Sequence, residues 1–274
     1  MKQTAVSIAF PHADKKTAAT LEPVYLTGER YWHQTFCCAY SLQLHSGCSV
    51  IPHLYDDGTL TPKHTAPFLK NFREVRITTA DEIAATLDRQ LPAETFPALR
   101  YWRIKHPLLK KLTDIFIGQK KPRLLLDSDM LFYHKPDYLI DWCLDPHHAC
   151  CMQDIVEAYG YPRSFLENLA GSSLPSKANI GILGLLPGQL NPAQMEEWLK
   201  KMIHEHGKSY NLVQGLCSML FAQNGISIAP AKEYKLENTS AAGWQPDATM
   251  IHFVSDAKAV YFQHAWKLAM RVHW

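Results

Sequence analysis

Residues 122–132, PRLLLDSDMLF, decide the fold. Pro122-Arg123-Leu124-Leu125-Leu126 reads as a short buried strand, because a brief apolar run without helical spacing suits a strand covered on both faces. Asp127 and Asp129 close it, and a second apolar run, Met130-Leu131-Phe132, follows at once. Carboxylates at i and i+2 of an extended segment point the same way, so both can face one ion. Charges set between two apolar runs need compensation. At the carboxyl end of a parallel strand they lie where open α/β sheets bind ligands. Hard divalent cations such as Mg2+ or Mn2+ take a few carboxylates and leave positions for phosphate oxygens and water. The plainer reading of the same residues is an acidic loop with Asp127 as a helix cap.

The segments around this one supply the sheet. Upstream, Val24-Tyr25-Leu26 is an apolar run ending at Thr27-Gly28. A helix is expected over residues 31–45, with Trp32, Phe36, Tyr40 and Leu44 at steps of four and Gly47 as a left-handed stop. Residues 49–55 are expected as a second strand, with Asp56-Asp57-Gly58 turning the chain after it. A helix over residues 62–72 leads to a third strand at Val75-Arg76-Ile77-Thr78. Strand–helix–strand–helix–strand argues for a parallel sheet. Downstream, Cys150-Cys151-Met152-Gln153-Asp154 is a further buried strand with an acid at its end. The run Ile180-Gly181-Ile182-Leu183-Gly184-Leu185-Leu186 is another strand. Residues 192–206 and 209–224 are helical, and His252-Phe253-Val254 is a last strand. Residues 96–117 are helical, broken near Pro107, and rich in Arg and Lys interleaved with aromatics. The expectation is a single-domain α/β fold with a mixed, mainly parallel sheet flanked by helices. Residues 1–22 are expected as a loosely held arm ahead of a domain over 23–274.

Composition narrows the classes. In 274 residues, 47% are hydrophobic and 20% charged, which excludes a disordered chain. Lys and Arg total 28 against 26 acids, so the net charge of +2 excludes a bulk nucleic-acid binder while leaving room for a local cationic pocket. Nothing approaches the ~18 consecutive apolar residues of a membrane span. The opening MKQTAVSIAFPHADKK lacks the apolar core of a secretory signal, so a reducing cytoplasm is expected. The seven cysteines form no CxxC, and the adjacent pairs Cys37–Cys38 and Cys150–Cys151 sit in apolar runs and read as small buried hydrophobes. The C-terminal FQHAWKLAMRVHW mixes cations with tryptophans, and is read either as a last helix packed on the core or as a peripheral membrane contact.

The segment LLLDSDMLF resembles the D-x-D signature of glycosyltransferases with the A-type fold. It is similar to retaining enzymes of the glycogenin and lipopolysaccharide-galactosyltransferase kind, over about residues 24–266. The resemblance implies a Rossmann-like nucleotide half, a nucleotide-sugar donor, usually UDP-linked, and Mn2+ or Mg2+ as cofactor. It implies a glycan, lipid-linked or protein acceptor. By the same resemblance Asp127 and Asp129 hold the metal with Ser128 between them, and Thr27 and Asp57 hold nucleobase and ribose. Arg103 resembles the donor-binding arginine ahead of the D-x-D strand, with a solvated helix face as its other reading. Asp154 resembles an acid that touches the donor sugar. Asn179-Ile180-Gly181 resembles the family's Asn-x-Gly, or is a simple strand-entry turn. HFVSDAK resembles HxxGxxK, which would make His252 a third metal ligand and Lys258 a diphosphate contact.

Two positions depart from the pattern. Ser255 stands where the motif has glycine. Leu212-Val213-Gln214-Gly215 lacks the acids expected on either side of Gln214, and an amide cannot act as a general base. Transfer with retention needs none, so Asp154 and Gln214 remain the catalytic candidates. The same departures keep a second reading open, a catalytically degenerate nucleotide-sugar-binding protein or partner subunit. Two other D-x-D classes fit less well. Aspartyl-phosphate phosphatases resemble DxDx[TV], where this chain has Leu131. Nucleotidyltransferases have a Gly-rich phosphate loop that is missing after the first strand.

Overall fold

The computed structural model describes residues 19–239 and 243–271. Its strands are β1 Thr20–Leu21, β2 Pro23–Thr27, β3 Ser49–Val50, β4 His53–Asp56, β5 Arg76–Thr78, β6 Arg123–Leu126, β7 Met130–Phe132, β8 Ala149–Gln153, β9 Ala178–Leu185, β10 Ile226–Ile228, β11 Tyr234–Glu237 and β12 Met250–Phe253. The arm expected over residues 1–22 lies outside the described residues up to 18. Its last part pairs as β1 with β3, with Leu21 buried.

The chain packs as two compact units, each assembled from separated segments. The first runs up to Thr78 and adds Leu124–Asp145 and the chain from Ala229 onward. Here β6, β2, β4 and β5 lie side by side, all parallel, as the strand–helix alternation predicts. The expected strand over 49–55 is two strands, because Pro52 carries no N–H for a continuous ladder. Ladder pairing resumes at His53 against Val24 and Arg76. The helix Trp32–Ser46 is buried nearly all round, and Gly47 ends it in the left-handed region at φ 69°. Phe36 meets Phe68 edge to face at 5.4 Å, which fixes this helix against Pro62–Asn71. Its Ser41 hydroxyl accepts from the Phe132 backbone N–H at 3.1 Å, clamping β7.

A second layer of the first unit, β11–β12–β7, joins β11 and β12 in parallel and β12 and β7 antiparallel. His252 faces Met130 across that ladder, and the Phe253 N–H donates to the Asp129 carbonyl at 3.0 Å. The strand after the acidic pair is thereby tied to the strand carrying His252.

The second unit comprises Thr79–Arg123 and Pro146–Ile228. Its strands run β10–β8–β9, parallel then antiparallel, with a bulge between Cys151 and Met152. All eight residues of β9 are buried. Helices Ala80–Gln90, Pro97–Lys105, Pro192–His206 and Leu212–Asn224 surround these strands, and the break predicted at Pro107 is present. The Glu196 carboxylate accepts from the backbone N–H groups of Ala98 at 2.9 Å and Leu99 at 2.8 Å, capping the helix Pro97–Lys105 from another helix. The fold class is mixed α/β with mainly parallel strands, as expected.

All seven cysteines are free. Burial pushes the Cys37, Cys143 and Cys151 thiols up to about 12, so they are packing residues, as the sequence predicts for Cys37 and Cys151. No helix among the described residues is long and apolar enough to cross a membrane. In the C-terminal segment Trp266 is 3% exposed, which favours the packed reading of that helix. The last three residues, including Trp274, lie outside the described residues.

Candidate functional site

Three side chains converge where β6 ends. Leu124, Leu125 and Leu126 are buried and carry Asp127 out at the strand's carboxyl end. Two residues later Asp129 leads into β7. Antiparallel β12 returns His252 to the same point. One ligand atom from each of Asp127, Asp129 and His252 falls within 4.8 Å of the others. The His252 Nε2 lies 3.0 Å from Asp129 Oδ1 and 3.8 Å from Asp127 Oδ2. Its other nitrogen, Nδ1, is buried with no hydrogen-bond partner among the described residues.

Lys258 completes the group. Its ammonium donates to Asp129 Oδ2, the oxygen turned away from His252. Burial alone would raise the Asp129 carboxyl, but His252 and then Lys258 outweigh it and hold the acid well below the usual carboxylate range. Asp129 is therefore ionised at any ordinary pH. The chain reaches Lys258 through Ser255, whose φ of 48° lies in the left-handed region. That is the conformation a glycine adopts without cost. The serine that departs from HxxGxxK thus sits in a backbone conformation that suits glycine.

Two carboxylates and an imidazole on rigid strand ends suit a divalent cation of the Mn2+ or Mg2+ kind. Oxygen and nitrogen donors from three residues leave further positions for a ligand. The donor set fits the cofactor that the sequence resemblance implies.

The remaining predicted residues fall into three settings. Thr27, at the end of β2, is fully buried, and its hydroxyl is 2.8 Å from that of Thr35. Asp57 follows β4 and accepts from the Thr59 hydroxyl at 2.5 Å and the Thr59 N–H at 3.0 Å. The loop after β2 comes so close to it that a Cβ on Gly28 would meet Asp57 Oδ1 at 2.0 Å. Glycine is required there for that approach. Ser128 sits half-buried between the two acids.

In the second unit Asp154, Asn179 and Gln214 meet. Asp154 Oδ2 accepts from Asn179 Nδ2 at 2.7 Å and from Gln214 Nε2 at 3.3 Å. Its Oδ1 accepts from the Ile155 N–H at 2.8 Å and the Val156 N–H at 3.5 Å. Asn179 lies inside β9, and its Oδ1 accepts from the Gly181 N–H at 2.8 Å, so Asn-x-Gly is a side-chain clamp within a strand. Arg103 is bidentate on Asp114, at 2.5 and 2.7 Å, and the Asp114 side chain is wholly buried. Sequence reasoning missed Asp114. Its one signal was an acid closing a long basic run.

The mixed α/β architecture with its acidic strand end is the A-type glycosyltransferase fold. Among solved structures the chain is similar to the galactosyltransferase LgtC in complex with donor and acceptor sugar analogs. That match has a TM-score of 0.59 and 16% identity, over 91% of this chain and 95% of that one. It is also similar to mouse xyloside xylosyltransferase 1 in its apo form, with a TM-score of 0.57 and 9% identity, over 85% and 97%. The apo bifunctional glycosyltransferase WbbM matches at 0.52 and 14% identity, over 88% of this chain and 47% of that one. No protein-family profile and no curated protein sequence matches the chain.

Proposed function

We propose that the chain is a glycosyltransferase that moves a sugar from a nucleotide-sugar, UDP-linked, to a glycan, lipid-linked or protein acceptor. Asp127, Asp129 and His252 would hold Mn2+ or Mg2+. The observation that carries the reading is the convergence of these three side chains within 4.8 Å at the carboxyl end of β6, with Lys258 on the free edge of Asp129. The shared fold of the three transferases supports it.

A divalent cation bound there would neutralise negative charge on the departing nucleoside diphosphate. Lys258 adds a mobile point charge, which parts from Asp129 to meet phosphate oxygens. Thr27, Asp57 and Ser128 shape the strand ends assigned to the nucleoside and metal loop, and Arg103 braces its own unit through Asp114. Asp154, Asn179, Gly181 and Gln214 form the group assigned to the sugar. The four lone-pair sites of a carboxylate are all engaged in Asp154, two on each oxygen. It is thus poorly placed to take a proton from an acceptor hydroxyl. Gln214 cannot take one either, which supports transfer with retention over a base-dependent inversion.

The test is a thermal-shift screen of nucleotides with and without Mn2+. The reading expects a rise in Tm selective for UDP with Mn2+, larger than the sum of the shifts with each alone. Equal shifts with every nucleotide, independent of metal, would overturn it.

A further inference from the structure

We propose that the outer face of the helix Pro97–Lys105, with the segment at 208–210 beside it, docks onto a bilayer surface bearing anionic phospholipids. The stretch 96–113, FPALRYWRIKHPLLKKLT, holds Arg100, Arg103, Lys105, Lys110 and Lys111 and no acid. The helix buries Leu99 and turns Tyr101 and Ile104 outward, 54% and 69% exposed. The Lys208 ammonium donates to the Lys105 carbonyl at 2.9 Å. His106 Nε2 lies 3.1 Å and 3.2 Å from the carbonyls of Ser209 and Tyr210. These contacts set Tyr210, 80% exposed, beside the helix end. Tyr210 and Ile104 are the two most exposed large hydrophobic residues among those described.

The charges on that face are selective. Arg103 is spent on Asp114 and Arg100 on Asp88. Among the described residues Lys105 and Lys208 form no ion pair, and the Lys105 ammonium lies 5.8 Å from the centre of the Tyr101 ring. Two tyrosines, an isoleucine and two lysines without an acidic partner among the described residues make an amphipathic edge of the kind that sits at the headgroup level. Aromatic rings and aliphatic tips enter the acyl boundary there while ammonium groups meet lipid phosphates. Side chains this exposed are free to enter a fluid headgroup layer. Each lysine near an anionic surface is worth about fivefold in partitioning, equivalent to about 1 kcal/mol. The inference depends on neither the metal cluster nor sugar transfer.

The test is co-sedimentation of the full chain with vesicles of phosphatidylcholine alone or of equal parts phosphatidylcholine and phosphatidylglycerol. The wild type is expected to pellet with the mixed vesicles and to be released at high salt. Lys105→Glu with Lys208→Glu should lower partitioning at least about tenfold, reversing two charges worth about fivefold each. Ile104→Ser with Tyr210→Ser should do the same. Leu69→Ser, which removes a leucine that is 60% exposed on the helix Pro62–Asn71, should change nothing. Unchanged melting curves would show that the variants are folded. A wild type that stays in the supernatant with mixed vesicles, or patch variants that pellet like the wild type, would overturn the proposal. So would equal loss in Leu69→Ser.

Discussion

A cation held by Asp127, Asp129 and His252 as proposed would compete with Lys258 for the Asp129 carboxylate, and that competition would have a measurable sign. The Lys258 ammonium donates to Asp129 Oδ2, with side-chain exposures of 35% for the lysine and 16% for the acid. An exposed pair is worth roughly 0.2–1 kcal/mol and breaking a buried one costs roughly 3–5. One-third exposure of the lysine places this pair at about 1–2 kcal/mol after solvent screening. Part of that is lost whenever Asp129 turns to a metal ion. Lys258→Met removes the competitor, so Mn2+ binding without nucleotide should tighten, by at most roughly 5–30-fold. If Lys258 meets the diphosphate as proposed, the same change would also remove a charged hydrogen bond worth about 1.5–3 kcal/mol. The tightening of Mn2+ binding by UDP should therefore fall at least about tenfold. Titration calorimetry of Mn2+, with and without UDP, reads both. Weaker Mn2+ binding by Lys258→Met without UDP would refute the reasoning, as would an undiminished effect of UDP.

Other expectations concern stability. Glu196→Ala strips the carboxylate from the N–H groups of Ala98 and Leu99, leaving the Leu99 donor buried. The cost should be about 2–4 kcal/mol, or a Tm lower by roughly 5–10 °C; a drop under about 1 kcal/mol would contradict the capping role. Ser255→Gly relieves a non-glycine residue at φ 48° and should stabilise by up to about 1 kcal/mol, checked by urea unfolding. A destabilised Ser255→Gly would show that the turn carries no strain. His45, whose Nε2 is 3.0 Å from the Ala269 carbonyl, is held below its ordinary value of 6.5, chiefly by burial. The unfolded chain takes up a proton that the folded chain resists, so this group's contribution is lost as pH falls through and below about 6.5. His45→Gln should flatten the fall in Tm between neutral pH and mildly acidic pH, and an unchanged profile would remove His45 from the account.

Local pattern made much of this legible, and long-range pairing hid the rest. Asp127 and Asp129 stood out because two charges between apolar runs demand a partner, and the partner is close at hand. The parallel order of β2, β4 and β5 followed from alternation alone. His252 was different. Its contact with Asp129 depends on antiparallel pairing of β7 with β12, which no periodicity announces, and only the resemblance to HxxGxxK singled it out. The break at Pro52 was readable from the missing N–H, yet the run of apolar residues masked it. Thr27 was placed correctly at its strand end, but whether its hydroxyl faces inward depends on Thr35, one helix further on. Arg103 showed its charge in the sequence and hid its buried partner, Asp114. Ser255 shows the limit of motif matching, because a serine occupies the motif's glycine position in a left-handed conformation that suits glycine.

The most direct test of the central claim is release of UDP from a panel of UDP-sugars by the intact chain, with Mn2+ present or removed by chelation. The account predicts release or transfer with at least one donor, lost on chelation, restored by Mn2+, and absent in Asp129→Asn. Release that persists unchanged in Asp129→Asn, or that ignores the metal, would contradict it.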